Sequence, residues 1–111
     1  MERRLVMTNQ DRKILIEFAT RVRDKYPGAS VWAYGSRARG SATWDSDFDI
    51  CIVLESMEAD TYRIVREIAW EVGFEHSRVI TTLVFAREEF ETGPSSESTL
   101  VSNILREGVA A

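Results

Sequence analysis

The stretch Asp47-Phe48-Asp49-Ile50-Cys51-Ile52-Val53-Leu54 is the strongest strand signal in the chain, and it begins with two carboxylates. Strand side chains alternate, so Asp47 and Asp49 project from one face while Phe48 and Ile50 enter the other. At normal strand rise their Cα atoms lie ~6.6–6.8 Å apart. Two carboxylates side by side on a sheet repel unless they are protonated or bridged by a cation. Mg²⁺, which favours carboxylate oxygens together with substrate phosphates, resolves that conflict. Two such ions ~3.5–4 Å apart can hold the attacking and leaving oxygens of a phosphoryl-type transfer.

The elements around this strand follow from periodicity. Thr8 and Asp11 have capping-box spacing, with Asp in place of Glu, ahead of a helix that recurs on one face through Leu15, Phe18, Ala19, Val22 and Tyr26. Pro27-Gly28 stops it. Ser30 to Tyr34 reads as a short buried strand, and Ser36 to Gly40 as one or two helical turns. Asp60 to Val72 is expected to be helical, with Tyr62, Val65, Ile68, Ala69 and Val72 facing the core and Gly73 as C-cap. Arg78 to Phe85 is a third strand. Arg87 to Phe90 is a turn of helix, Thr92 to Ser98 a mobile loop, and Leu100 to Glu107 a last helix. Alternating helices and strands imply an α/β (α+β) fold: a small mixed sheet of three or slightly more strands with flanking helices.

Composition bounds the rest. At 111 residues the chain is expected to be one domain, residues 1–111. Its 14 basic and 18 acidic residues give a net charge of −4, which disfavours nucleic acid as the main partner. The lone Cys51 excludes an internal disulfide and any multi-cysteine zinc site. No apolar run approaches the ~18 residues that cross a bilayer, and no signal segment is visible, so the reading is a cytoplasmic protein without membrane contact.

Upstream of the acidic pair stands Gly35-Ser36, with ten residues between Ser36 and Asp47. Gly35 has no side chain, so a triphosphate can approach the backbone there, and Ser36 offers a hydroxyl. Arg37 and Arg39 are two apart and cannot share a helical face, so at most one reaches the phosphates. Two competing motifs fail on spacing. Asp45, Asp47 and Asp49 imitate an EF-hand loop, but Ile50 and Ser56 stand where Gly and Glu are required. Gly35 to Gly40 has P-loop spacing, but Ser41 and Ala42 replace the Lys and Ser/Thr.

Gly35-Ser36, ten residues, then Asp47-Phe48-Asp49 resembles the signature of the minimal nucleotidyltransferases of the DNA polymerase β-like superfamily. The order helix, strand, Gly-Ser turn, Asp-x-Asp strand, helix, strand resembles that family over most of the chain. The resemblance implies the nucleotidyltransferase, polymerase β palm-like fold. It implies that Gly35, Ser36 and Arg39 bind the triphosphate and that Asp47 and Asp49 are catalytic and hold Mg²⁺, with Mn²⁺ as a substitute. The implied reaction transfers a nucleoside monophosphate, AMP from ATP, to a hydroxyl of a partner macromolecule. Such proteins pair with a helical HEPN-type chain as antitoxin and toxin, and that is the implied partner; a homo-oligomer stays open.

One departure stands out. The superfamily places a third carboxylate on the next central strand, where this chain has Thr81 and Thr82. Threonine cannot take a proton at neutral pH. Metal polarisation, another acid such as Glu55 or Glu75, or a loss of activity are the options this leaves. The alternative function is thus a nucleotide-binding module that neutralises its partner by contact. Among the remaining residues, Trp44 is expected to anchor its loop, Arg37 to lie on the surface, Cys51 to be a buried inert thiol, and His76 to be a turn or surface residue. Arg63, Arg66 and Glu67 should mark the outer face of their helix. Leu100, Val101, Ile104 and Leu105 suit a core or an interface equally.

Overall fold

The computed structural model describes residues 5–93 and 98–111. Helix α1 (Asn9–Lys25) starts where the Thr8 hydroxyl accepts from the Asp11 N–H at 3.1 Å. Ile14, Leu15, Phe18, Ala19 and Val22 form its buried stripe. Strand β1 (Ser30–Tyr34) runs into the single turn and a half of α2 (Gly35–Arg39). Strand β2 (Phe48–Leu54) follows, then α3 (Thr61–His76), β3 (Ile80–Ala86), α4 (Arg87–Thr92), α5 (Thr99–Glu107) and β4 (Val109–Ala110).

The strands form one mixed sheet in the order β3-β2-β1-β4. β2 is antiparallel to β1 and parallel to β3, with α3 as the crossover that a parallel pair requires. Helices α1 and α3 cover one face, where Val31, Ala33, Phe48, Ile50 and Ile52 meet Phe18, Val65 and Val72. The other face carries Cys51 and Val53, covered by Phe90 of α4 and by Val101 and Ile104 of α5. Trp32 stacks on Phe90 at 5.6 Å between centroids. That second cover stops short of the β2 start, and Asp49 lies at its margin, half-buried.

Several elements differ from expectation. Helix α3 runs through Gly73 to a left-handed Ser77, because the missing Cβ at Gly73 is what admits the Arg78 carbonyl: an added Cβ would lie 2.5 Å from that oxygen. Tyr62 is exposed and does not face the core. Its position on the first turn of α3 lies beyond the stripe formed by Val65, Ile68, Ala69 and Val72. β4, two residues long, carries too little sequence for any period to show; it pairs with β1 through Trp32 and Ala33. Of the C-terminal apolar residues, Val101 and Ile104 enter the core while Leu100 and Leu105 remain exposed. The predicted loop from Thr92 to Ser98 lies partly outside the described residues; Thr92 itself ends α4, and Ser98 caps α5 by accepting from the Val101 N–H at 3.1 Å.

Candidate functional site

The register brings three side chains into one row across the sheet: Tyr34 on β1, Asp49 on β2 and Thr81 on β3. Thr81 donates its hydroxyl to Asp49 Oδ1 at 2.6 Å. The other carboxylate oxygen lies against the backbone of Gly35. A Cβ there would sit 2.5 Å from Asp49 Oδ2, and Gly35 has φ +73°, a region side chains rarely enter. Gly35 is therefore required twice, for the turn out of β1 and for contact with the acid. The sequence pair Gly35 and Asp49, fourteen positions apart, is one spatial unit.

Tyr34 completes this corner. Burial, then the charge of Asp49, then Cys51 push its phenol up to about 12, so it stays neutral and keeps its proton to donate at physiological pH. Cys51, on the same face two residues beyond Asp49, is fully buried, and burial raises its thiol to about 12. It is an inert core residue, as expected. Asp47 immediately precedes β2 and is exposed, whereas Phe48 and Ile50 are wholly buried, which is the alternation the sequence required.

Ser36 is half-buried on the first turn of α2. The two arginines that follow it diverge. Arg39 points outward, half-exposed, paired among the described residues with Glu107 alone at 3.9 Å, a weak contact that leaves it able to turn to an anion. Arg37 corrects the expectation of a surface residue: it is 5% exposed and reaches the N-terminus of α1. Its Nη1 donates to the buried Asp11 carboxylate at 3.3 Å, and Nη2 donates to the carbonyls of Trp44 and Ser46 at 3.3 and 2.9 Å. Arg78, just before β3, donates to the same Asp11 at 3.4 Å. Asp11 is thus not the reciprocal half of a capping box. Its carboxylate ties α1, α2 and the approach to β3 together.

Arg37 is what anchors the loop that delivers Asp47, not Trp44, whose side chain is 88% exposed. Thr43 reinforces the turn: its N–H donates to Ser46 Oγ at 2.9 Å, and its hydroxyl donates to Asp45. Sequence reasoning missed Arg37, Asp11 and Arg78 as a unit, and also Tyr34. The only available signal was that Tyr34 directly precedes Gly35. His76 ends α3 against Glu17 and, with Glu75, forms a cluster whose ligand atoms lie within 4.8 Å of one another. Arg21 already donates to both Glu75 oxygens at 3.1 and 3.0 Å, so the chain supplies that cluster with its own cation.

A mixed sheet whose second strand presents Asp-x-Asp beside a Gly-Ser turn defines a domain of the nucleotidyl-transferring class. The comparisons agree. A family model described as nucleotidyltransferase domain matches residues 15–110, and the chain belongs to that family. The fold also matches a crystal structure from Sulfolobus solfataricus of a protein provisionally named a nucleotidyltransferase. The TM-score is 0.53 at 19% identity, covering 91% of this chain and 78% of the other, a likeness of fold. No curated protein matches the sequence.

Proposed function

We propose that this domain transfers a nucleoside monophosphate, AMP from ATP, to a hydroxyl group of a partner protein. The observation that supports this most is the contact of Gly35 with the Asp49 carboxylate, which sets the Gly-Ser turn and the Asp-x-Asp strand at one point. The donors fit Mg²⁺. Asp47 is exposed, Asp49 keeps Oδ2 without a hydrogen bond among the described residues, and all are hard carboxylate oxygens. Asp47 and Asp49 would hold the ion, and when bound it supplies positive charge to the phosphates and acidity to the acceptor hydroxyl.

The chain's own residues do the rest. Gly35 leaves room for a phosphate against the backbone, and Ser36 donates a hydrogen bond to it. Arg39 exchanges Glu107 for phosphate oxygens and offsets their charge. Arg37 keeps the 43–46 turn fixed, so Asp47 is presented without reorganisation. The acceptor oxygen bonds to the α-phosphorus, the bond from that phosphorus to pyrophosphate breaks, and the acceptor proton passes to solvent, since Thr81 cannot take it.

The acceptor we favour is a helical HEPN-type protein, in an antitoxin and toxin pair. Incubation of both proteins with α-labelled ATP and Mg²⁺ tests this: label should appear on the partner and vanish with Asp49→Ala. A partner that stays unlabelled with wild type and variant alike overturns it. The second reading, a module that binds nucleotide and neutralises its partner without transfer, is favoured by Thr81, which stands in the Asp49 row and donates to it. It predicts Mg²⁺-dependent ATP binding by calorimetry, with neutralisation unaffected by Asp47→Ala or Asp49→Ala.

A further inference from the structure

Away from this site, the outer face of α3 exposes two large rings: Trp70 is 69% and Phe74 75% exposed, stacked on each other at 5.3 Å. They border a concavity of about 820 Å³ that continues to Arg78, Val79 and Ile80 at the sheet edge. Val79 is exposed as well. Soluble monomers rarely leave a contiguous apolar surface of this kind uncovered.

The charges around the rings say what covers them. Arg63 is paired with Asp60 and Glu67, and Arg78 with Asp11. Arg66 has no ionic partner among the described residues. One uncompensated arginine in a chain of net charge −4 is a poor platform for a polyanion. It is a good partner for an aromatic face.

The stripe is also polar along its axis. Counting from Trp70, Arg66 lies about 6 Å toward the N-terminus and about 40° to one side, and Phe74 about 6 Å toward the C-terminus and about 40° to the other. The three residues lie on one i±4 ridge, inclined about 26° to the helix axis. Two antiparallel α3 helices related by a two-fold axis beside Trp70 bring these ridges parallel when they cross at about 50°, a common crossing angle, and this puts Trp70 against Trp70 and each Arg66 against the Phe74 of the other copy. A self-complementary patch is what an isologous interface needs. We infer that this protein forms a two-fold dimer through α3, with the Trp70 pair at the centre and Arg66 seated on Phe74 at both ends.

The proposal is independent of the transfer reaction and is tested on the whole chain by sedimentation equilibrium between about 1 and 100 µM. Wild type should be dimeric at the upper end. Trp70→Ala and Phe74→Ala should be monomeric with unchanged circular dichroism, since both side chains are exposed. Arg66→Glu should weaken association about tenfold or more, its cation being used twice, and Arg66→Lys should recover part of that loss. A monomeric wild type overturns the proposal and leaves the face to a different protein. A dimer indifferent to Trp70→Ala overturns it too. A dimer lost with Phe74→Ala but unaffected by Arg66→Glu refutes the antiparallel register, and the proposal falls with it.

Discussion

On the neighbouring strand Asp49 meets a threonine hydroxyl and not a second acid. Thr81 faces Asp49 directly in the parallel register and donates to it at 2.6 Å. Thr81→Val removes a hydrogen bond to a charged acceptor and should cost about 1.5–3 kcal/mol, read by urea denaturation. Thr81→Asp is the more telling change. It replaces a donor by a second charge, so in chelator the variant should melt below wild type. Millimolar Mg²⁺ should close most of that gap, because a cation that binds only the folded state stabilises it. A melt of Thr81→Asp that ignores Mg²⁺ would count against a cation at Asp49. Arg37 is the other residue whose role is set by one neighbour. Arg37→Ala leaves Asp11 buried with Arg78 as its one remaining ionic partner among the described residues, and should cost about 3 kcal/mol or more. The same change frees the carbonyls of Trp44 and Ser46, so Mn²⁺ affinity measured by electron paramagnetic resonance should fall as well.

At the scale of elements, the turn from β1 into α2 concentrates the most constraint into the fewest residues. Gly35→Ala forces a side chain into positive φ and drives a Cβ against Asp49 Oδ2. About 1–3 kcal/mol of stability should be lost, by denaturant titration, together with most Mg²⁺-dependent ATP affinity by calorimetry. The elements themselves were legible because their signals are local. Asp47 to Leu54 announced β2 by composition, Pro27-Gly28 ended α1 to within a few residues, and Val65, Ile68, Ala69 and Val72 marked the core side of α3. What stayed hidden depends on pairing. No period reveals that Thr81 stands opposite Asp49, because that follows from a parallel register fixed by α3 as a whole. Arg37 read as a surface arginine because its three partners lie 26 residues before it and 7 and 9 after it, outside its own helix. Gly73 misled for a related reason. A glycine near a helix end signals a stop, and here it signals the close approach of the Arg78 carbonyl.

Taken whole, the molecule is a sheet with unequal covers, a thick one of α1 and α3 and a thinner one of α4 and α5. None of its described helices is long and apolar enough to cross a membrane. The thinner side is where alkaline pH should act. Cys51 and Tyr34 both lie there, both raised to about 12, Cys51 by burial and Tyr34 by burial and then the charge of Asp49. In the unfolded chain these groups ionise near their ordinary values of 9.0 and 10.0, so above pH 9 the unfolded state binds fewer protons than the folded one. Stability must then fall as pH rises. The melting temperature should hold below pH 9 and decline from there toward pH 12. The decisive quantity is the difference between proteins. Cys51→Ala should start about 1 kcal/mol below wild type, for the small cavity it leaves, yet lose less between pH 9 and 12. Tyr34→Phe should lose less between pH 10 and 12. Parallel pH profiles for wild type and both variants would mean that the α4–α5 cover does not shield this face, and that Asp49 stands in a wetter corner than its neighbours require.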